Sequence, residues 1–334
     1  METAGENDNK DILVSISCIT YNHGKYLRDA LEGFLMQKCD FKYEILIHDD
    51  ASTDDTAEII REYEARFPDI IRPVIQKENQ YSRGVRNISG VFNFPRARGK
   101  YIAMCEGDDF WTDPEKLSIQ AGYMEENPEC AMTLHSAKIM RLDGAWHEND
   151  VIRPYESDRL IPPEAVISKR ANYPTASLMI RTEYAKQLPE YYFRCPVGDI
   201  PLHLYMASRG TVYYFDRMMS VYRAGSEGSW SNDIESGESS EKWRAHLEAM
   251  KELYKAFDME TSGSFHDAAC EAFNRESFLV SLKLDDLSVL TKRENKKFKA
   301  ELPAMQRRLL LLKYYCPFLW KLLRILYYNL FTFS

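Results

Sequence analysis

The chain has 334 residues, 45% of them hydrophobic and 28% charged, proportions that exclude general disorder and allow a substantial core without disulfides. With 43 basic against 51 acidic side chains the net charge is −8, which excludes a general nucleic-acid binder, because gripping a phosphate backbone needs surplus Lys and Arg. The 7 cysteines are scattered, no two within five residues, so there is no CxxC pair for zinc or redox chemistry, and a reducing compartment fits them best.

Taken in chain order, Met1–Lys10 is polar and acidic and lacks the layout of a signal peptide; it is expected to be a disordered tail on a cytoplasmic protein. Ile12–Ile19, Tyr43–Ile47, Ile70–Gln76 and Lys100–Cys105 read as strands, and Lys25–Gln37 and Thr56–Phe67 as helices between them. A further helix is expected over Pro114–Asn127, with Asp113 as its N-cap. This rhythm predicts an α/β domain: a mostly parallel, Rossmann-like sheet flanked by helices, whose ligands sit beyond the carboxyl ends of its strands. Cys130–Met140, a turn at Leu142–Gly144, and Tyr173–Arg181 predict a mixed subsheet, followed by a short helix near Asp199–Ser208 and strands across Thr211–Arg223. Beyond the Gly/Ser-rich Ala224–Ser240, helices are expected over Glu241–Phe257, Phe265–Leu284 and Asp286–Lys299.

Three of the expected strand ends carry clustered polar groups: Thr20-Tyr21-Asn22-His23-Gly24, His48-Asp49-Asp50-Ala51-Ser52-Thr53-Asp54-Asp55-Thr56, and Glu106-Gly107-Asp108-Asp109-Phe110-Trp111. Adjacent carboxylates repel one another and are costly to bury unless a cation or strong donor compensates them. Turn formation and helix capping account for part of the second cluster. Convergence of all three on one rim points to a ligand.

These segments, with Tyr173-Pro174-Thr175-Ala176-Ser177, Val197-Gly198-Asp199, Val221-Tyr222-Arg223 and Gly228-Ser229-Trp230-Ser231, resemble the family 2 inverting glycosyltransferases of GT-A fold, especially bacterial members that build surface polysaccharides. The resemblance spans roughly residues 11–232 and implies a metal-dependent hexosyltransferase-type enzyme. It would use a nucleotide sugar, a UDP-sugar first of all, and a glycan or lipid-linked glycan acceptor. It implies donor contacts from Thr20, Tyr21, Asn22, Asp49, Asp50, Glu106, Asp108, Asp109, Arg223 and Trp230. The base would meet Thr20, Tyr21 and Asp50, with Asp49 serving instead of Asp50 or orienting the loop.

The family's Asp-x-Asp motif falls on Glu106-Gly107-Asp108, so Asp108 is the expected ligand of Mn2+ or Mg2+, hard cations suited to a diphosphate. Glu106 departs from the motif by one methylene, which leaves open a non-catalytic nucleotide- or carbohydrate-binding protein on the same fold. The resemblance places the general base at Asp199, where helix N-capping is the alternative. His48 and His135, on apolar strands, are expected to be core histidines.

From Lys292 to Ser334 there are ten basic and two acidic residues, a local charge of +8 that leaves −16 for the rest. The run Leu309–Ser334 mixes Leu, Trp, Tyr and Phe with Lys and Arg, the composition of an interfacial element on anionic lipid. Its longest uncharged stretch, Ile325–Ser334, is too short to span hydrocarbon. The alternative is a helix packed on the protein's own body or on a second subunit. The expected division is therefore a tail at 1–10, a catalytic domain at 11–235, a helical extension at 236–300 and a membrane-associating segment at 301–334. The protein is expected to be peripheral on the inner face of the plasma membrane.

Overall fold

The computed structural model describes residues 12–141, 150–169, 171–226, 240–284, 286–290, 292–316 and 318–319. The first strands are β1 (Ile12–Thr20), β2 (Lys42–Asp49), β3 (Ile71–Ile75) and β4 (Tyr101–Met104), with α1 (Gly24–Leu35) and α2 (Thr56–Arg66) between them. Next come β5 (Phe110–Trp111), α3 (Lys116–Glu126), β6 (Cys130–Met140), β7 (Val151–Ile152), β8 (Arg159–Ile161) and α4 (Pro163–Ile167). They are followed by β9 (Met179–Arg181), α5 (Thr182–Ala185), α6 (Glu190–Arg194), α7 (Asp199–Arg209) and β10 (Thr211–Arg223). The last elements are α8 (Ser240–Glu260), α9 (His266–Lys283), α10 (Leu287–Leu290), α11 (Lys296–Glu301) and α12 (Ala304–Tyr315).

One ten-stranded sheet runs in the order β3-β2-β1-β4-β9-β6-β10-β5, with β7 on β6 and β8 on β10. β3, β2, β1 and β4 are mutually parallel, as the βαβ pattern requires, and β1 is buried on both faces from Val14 to Cys18. β9 runs antiparallel between β4 and β6 and joins this half to the mixed subsheet, in which β6 and β10 are parallel. The mostly parallel sheet flanked by helices, and the mixed subsheet beside it, are as the sequence predicts.

Two apolar layers cover the faces. Leu27, Leu31 and Phe34 of α1, Ile59 and Ile60 of α2 and Leu117 of α3 pack against one face. Leu202 and Tyr205 of α7 cover the other, together with Tyr254 and Phe257 of α8 and Ala269 of α9. The helical extension therefore shares the core of the sheet domain. Phe278, Leu290 and Phe298 form a small separate cluster toward the C-terminal end.

Three local expectations differ. α3 begins at Lys116: Asp113 does accept from the Glu115 N–H at 2.9 Å, but residues 114–115 form a turn before the helix, and the Asp113 carboxylate also pairs with Arg217 at 2.5 Å. Only Met179–Arg181 of the stretch from Tyr173 is strand: Ser177 Oγ donates to the Pro174 carbonyl at 2.7 Å and closes a tight turn first. Asp286–Lys299 is broken into α10, a short turn and α11. The expected turn at Leu142–Gly144 lies outside the described residues.

Candidate active site

The register aligns Thr20 of β1 with Asp49 of β2. Across the β1 end, the Asp50 N–H donates to the Thr20 carbonyl at 3.0 Å and the Gly107 N–H to the Ile19 carbonyl at 2.9 Å. All three polar clusters thus meet at the carboxyl ends of the parallel strands.

The first two clusters are tied to each other. Asn22 and Ala51 sit in the left-handed region, with φ of 54° and 61°, a conformation Asn tolerates better than most residues. The Asn22 N–H donates to Ser52 Oγ at 2.8 Å, and Asn22 Oδ1 accepts from the Thr53 N–H at 2.8 Å. Asp49 is fully buried and accepts from Ser52 through both its N–H and its hydroxyl; burial pushes its carboxyl up. Asp50 receives the N–H groups of Gln80 at 2.7 Å and Tyr81 at 3.0 Å, which fixes the loop after β3 against the site. Tyr21 is exposed at the rim.

The third cluster carries the unsatisfied chemistry. Asp108 is 7% exposed; one carboxylate oxygen accepts from Ser226, and the other, Oδ1, is buried without a hydrogen-bond partner. Thr20 Oγ1 and His23 Nδ1 are also buried without partners. A Cβ on Gly107 would lie 2.8 Å from Thr20 Oγ1 and 3.1 Å from His23 Nδ1, so these atoms crowd the same turn. Unpaired buried polar atoms cost free energy and are rare in native folds unless something else pairs them. Burial and the charges of Asp108 and Asp199 push the Glu106 carboxyl up to about 8. Burial and the charge of Asp108 likewise push the Asp109 carboxyl well up.

Arg223 ends β10 beneath this turn. Its guanidinium donates to the Asp108 carbonyl at 2.6 Å and pairs with Asp29, and its N–H donates to Asp109 Oδ1 at 2.8 Å. The rings of Tyr26 and Phe110 flank it at 5.0 and 4.5 Å. Arg223 therefore braces the acidic turn from within.

Asp199 opens α7. The N-cap is Gly198 and no side chain caps the helix, so the carboxylate is not consumed in capping; it is exposed and acts electrostatically on Glu106. The loop before it is pinned by Asn87, whose amide donates to the carbonyls of Tyr192 and Cys195. Arg223 is thus tied to Asp108 and Asp109, Thr20 crowds the same turn at Gly107, and Glu106 lies in the field of both Asp108 and Asp199. Trp230 lies outside the described residues.

His48 and His135 are core residues, as expected. His48 stacks on Phe92 at 4.4 Å and its pKa falls to about 4 through burial. Trp111 is also core: its Nε1 donates to the Ala176 carbonyl at 3.0 Å and its ring meets Phe34 edge-on. Sequence reasoning passed over His23, Asn87 and Ser226. His23 adjoins Asn22 in a cluster already singled out, whereas Asn87 gains its partners from 105 and 108 positions away and carries no local signal.

The mostly parallel sheet, its flanking helices and the mixed subsheet beside it make up the GT-A fold. The Glycosyl transferase family 2 model matches residues 15–183, and the chain belongs to that family. It is 35% identical over 255 residues to "Uncharacterized protein Rv1520" of Mycobacterium tuberculosis, covering 72% of this chain and 68% of that protein. Over 234 residues it is 28% identical to "Putative teichuronic acid biosynthesis glycosyltransferase TuaG" of Bacillus subtilis, covering 70% of this chain and 84% of that protein. Among solved structures, TarS 1–349 of S. aureus in complex with UDP-GlcNAc superimposes with a TM-score of 0.59 at 16% identity, over 90% of this chain and 87% of TarS 1–349. At that identity the likeness concerns the fold.

Proposed function

We propose that this protein transfers a sugar, with inversion, from a UDP-sugar to a glycan hydroxyl in the assembly of a surface polysaccharide or lipid-linked oligosaccharide. The observation that carries the reading is the trio of buried, unpartnered atoms at the β1 and β4 ends: Thr20 Oγ1, His23 Nδ1 and Asp108 Oδ1. The UDP-GlcNAc in TarS and the teichuronic acid pathway in the name of TuaG support the substrate classes.

In this reading the uracil and ribose lie along Thr20, Tyr21 and Asp50, on the loop that Asn22 and Asp49 hold in shape. The free oxygen of Asp108 suits Mn2+ or Mg2+. Among the described residues no group of three or more His, Cys, Asp or Glu is arranged to hold a metal. When bound, the cation neutralises charge developing on the departing diphosphate. Arg223 holds Asp108 and Asp109 in place, and Glu106 contributes to the donor side. Asp199, across the turn, takes the proton of the acceptor hydroxyl as its oxygen attacks the anomeric carbon.

The same reading assigns residues 11–235 to catalysis, 236–300 to a helical extension and 301–334 to membrane docking. No helix among the described residues is long and apolar enough to cross a membrane. α12 nevertheless exposes Met305, Leu309, Leu311 and Tyr315, with Phe318 and Leu319 beyond it, beside Arg307 and Arg308. An exposed apolar helix bearing cations suits the headgroup region of an anionic leaflet, where the lipid-linked acceptor would also be found.

The test is a UDP-sugar panel incubated with protein and Mn2+. Donor consumption that disappears in Asp108→Ala, with a product of inverted anomeric configuration by NMR, supports the enzyme. Binding of UDP without consumption of any donor overturns it in favour of a binding protein.

A further inference from the structure

His203 sits four residues after Asp199 on α7. Residues at that spacing share one helix face, with Cβ atoms about 5–6 Å apart. His203 Nε2 is buried with no hydrogen-bond partner, and the imidazole stands edge-on to Tyr173 at 5.9 Å. The ring thus packs against an aromatic wall, and its unpartnered nitrogen lies one helical turn from an exposed carboxylate to which it makes no hydrogen bond in this structure.

We propose that His203 is a positioning residue for Asp199: it orients the carboxylate toward the acceptor and takes over the proton that the carboxylate removes. This rests on the reading of Asp199 as the base. The balance is complete within the reaction. The acceptor O–H bond breaks and the O–C1 bond forms, while the C1–O bond to the diphosphate breaks with its electron pair leaving on the nucleotide. The proton passes through an Asp199 oxygen to His203 Nε2, leaving carboxylate and imidazolium, and is then lost to solvent.

The reason for such a pair is basicity. A carboxylate alone is a weak base near neutral pH, and the best general base has a pKa near the working pH. The groups around the ring set its ground state. Burial lowers its pKa, Asp199 raises it and Lys169, which follows α4, lowers it. Lys169 is in turn paired with Glu276 of α9 at 3.4 Å, and Glu276 with His246 of α8 at 2.7 Å. Tyr254 of α8 lies within the field of both Glu276 and Asp199. The helical extension thus supplies the counter-charge that moderates Lys169 behind the ring. His203 is neutral at neutral pH and ready to accept.

The experiment is NMR titration of the imidazoles in the full chain, with His203 assigned by its loss in His203→Gln, repeated in Asp199→Asn. It is combined with pH profiles of UDP release from UDP-GlcNAc with Mn2+, or from the donor found in the panel. The expected result is a His203 pKa below the ordinary 6.5 that falls further in Asp199→Asn. His203→Gln should lower kcat by about 10-fold or more with donor KM unchanged, and should move the acidic limb of kcat to lower pH. An imidazole titration unaltered by Asp199→Asn, or a pH profile unaltered in folded His203→Gln, overturns the role of His203 and leaves the base in place. Full turnover in Asp199→Asn instead removes the base, and His203 with it.

Discussion

Replacing Gly107 with Ala would place a methyl carbon 2.8 Å from Thr20 Oγ1, 2.9 Å from Thr20 Cβ and 3.1 Å from His23 Nδ1. Gly107 is not among the residues with positive φ, so the penalty is steric and not conformational. Thr20 cannot swing clear: its branched Cβ is stiff and belongs to the last residue of β1, which pairs with Asp49. The strain must therefore move the turn that carries Asp108. Overpacking of this kind costs typically 1–3 kcal/mol, and a misplaced Asp108 adds a loss of UDP affinity on the order of 10-fold. Thr20→Ala removes an unpartnered hydroxyl and one of the two close Thr20 contacts. The double variant Thr20→Ala/Gly107→Ala should accordingly recover part of the stability, with a coupling of about 0.5 kcal/mol or more. Chemical denaturation and calorimetric titration with UDP and Mn2+ measure both effects. Wild-type stability and affinity in Gly107→Ala would refute the close approach of the β1 and β4 ends on which the site is built.

Three further outcomes follow from the packing. Arg223→Ala removes donors to the Asp108 carbonyl and to Asp29; it should cost about 1.5–3 kcal/mol and weaken UDP binding, whereas Asp29→Asn, at an exposed carboxylate, should cost under about 1 kcal/mol. Equal effects in urea denaturation would contradict the bracing role. Lys116 is fully buried over Trp111, and burial lowers its pKa to about 7. With the folded value depressed below the unfolded one, the unfolded chain binds more protons between about 7 and 10.5, so stability rises with pH through that window. From pH 7 to 9 the gain is on the order of 2 kcal/mol relative to Lys116→Met, and parallel stability–pH curves for the two proteins would contradict it. Finally, the protein should co-sediment with anionic vesicles in a salt-sensitive manner. Leu309→Asp/Leu311→Asp should abolish this, and unchanged sedimentation would return α12 to a packing role.

The sheet was legible where the signal is periodic and local. Apolar runs such as Ile12–Ile19 mark strands buried on both faces, and the alternation with α1 and α2 fixes their parallel order. Clusters of carboxylates are legible in the same way, and Asp50, Asp108 and Asp109 do lie beyond the carboxyl ends of β2 and β4. What escaped depends on tertiary contact. Arg223 takes its hold on the Asp108 carbonyl from 115 positions away and its flanking rings from Tyr26 and Phe110, contacts that no local pattern reveals. Asp113 looks like a cap in sequence and does receive the Glu115 N–H, but the helix starts only at Lys116, and Arg217, 104 positions away, shares its carboxylate. His203 has no motif at all; its importance comes from helix spacing and from a nitrogen that finds no partner in the fold.

The central claim, a donor held at the strand ends through Asp108, is tested most directly by anomalous diffraction from crystals grown with UDP and Mn2+. One strong manganese peak is expected within bonding distance of an Asp108 carboxylate oxygen and of the diphosphate. A peak elsewhere, or UDP bound with Asp108 still closed on Ser226 and no metal beside it, would contradict it.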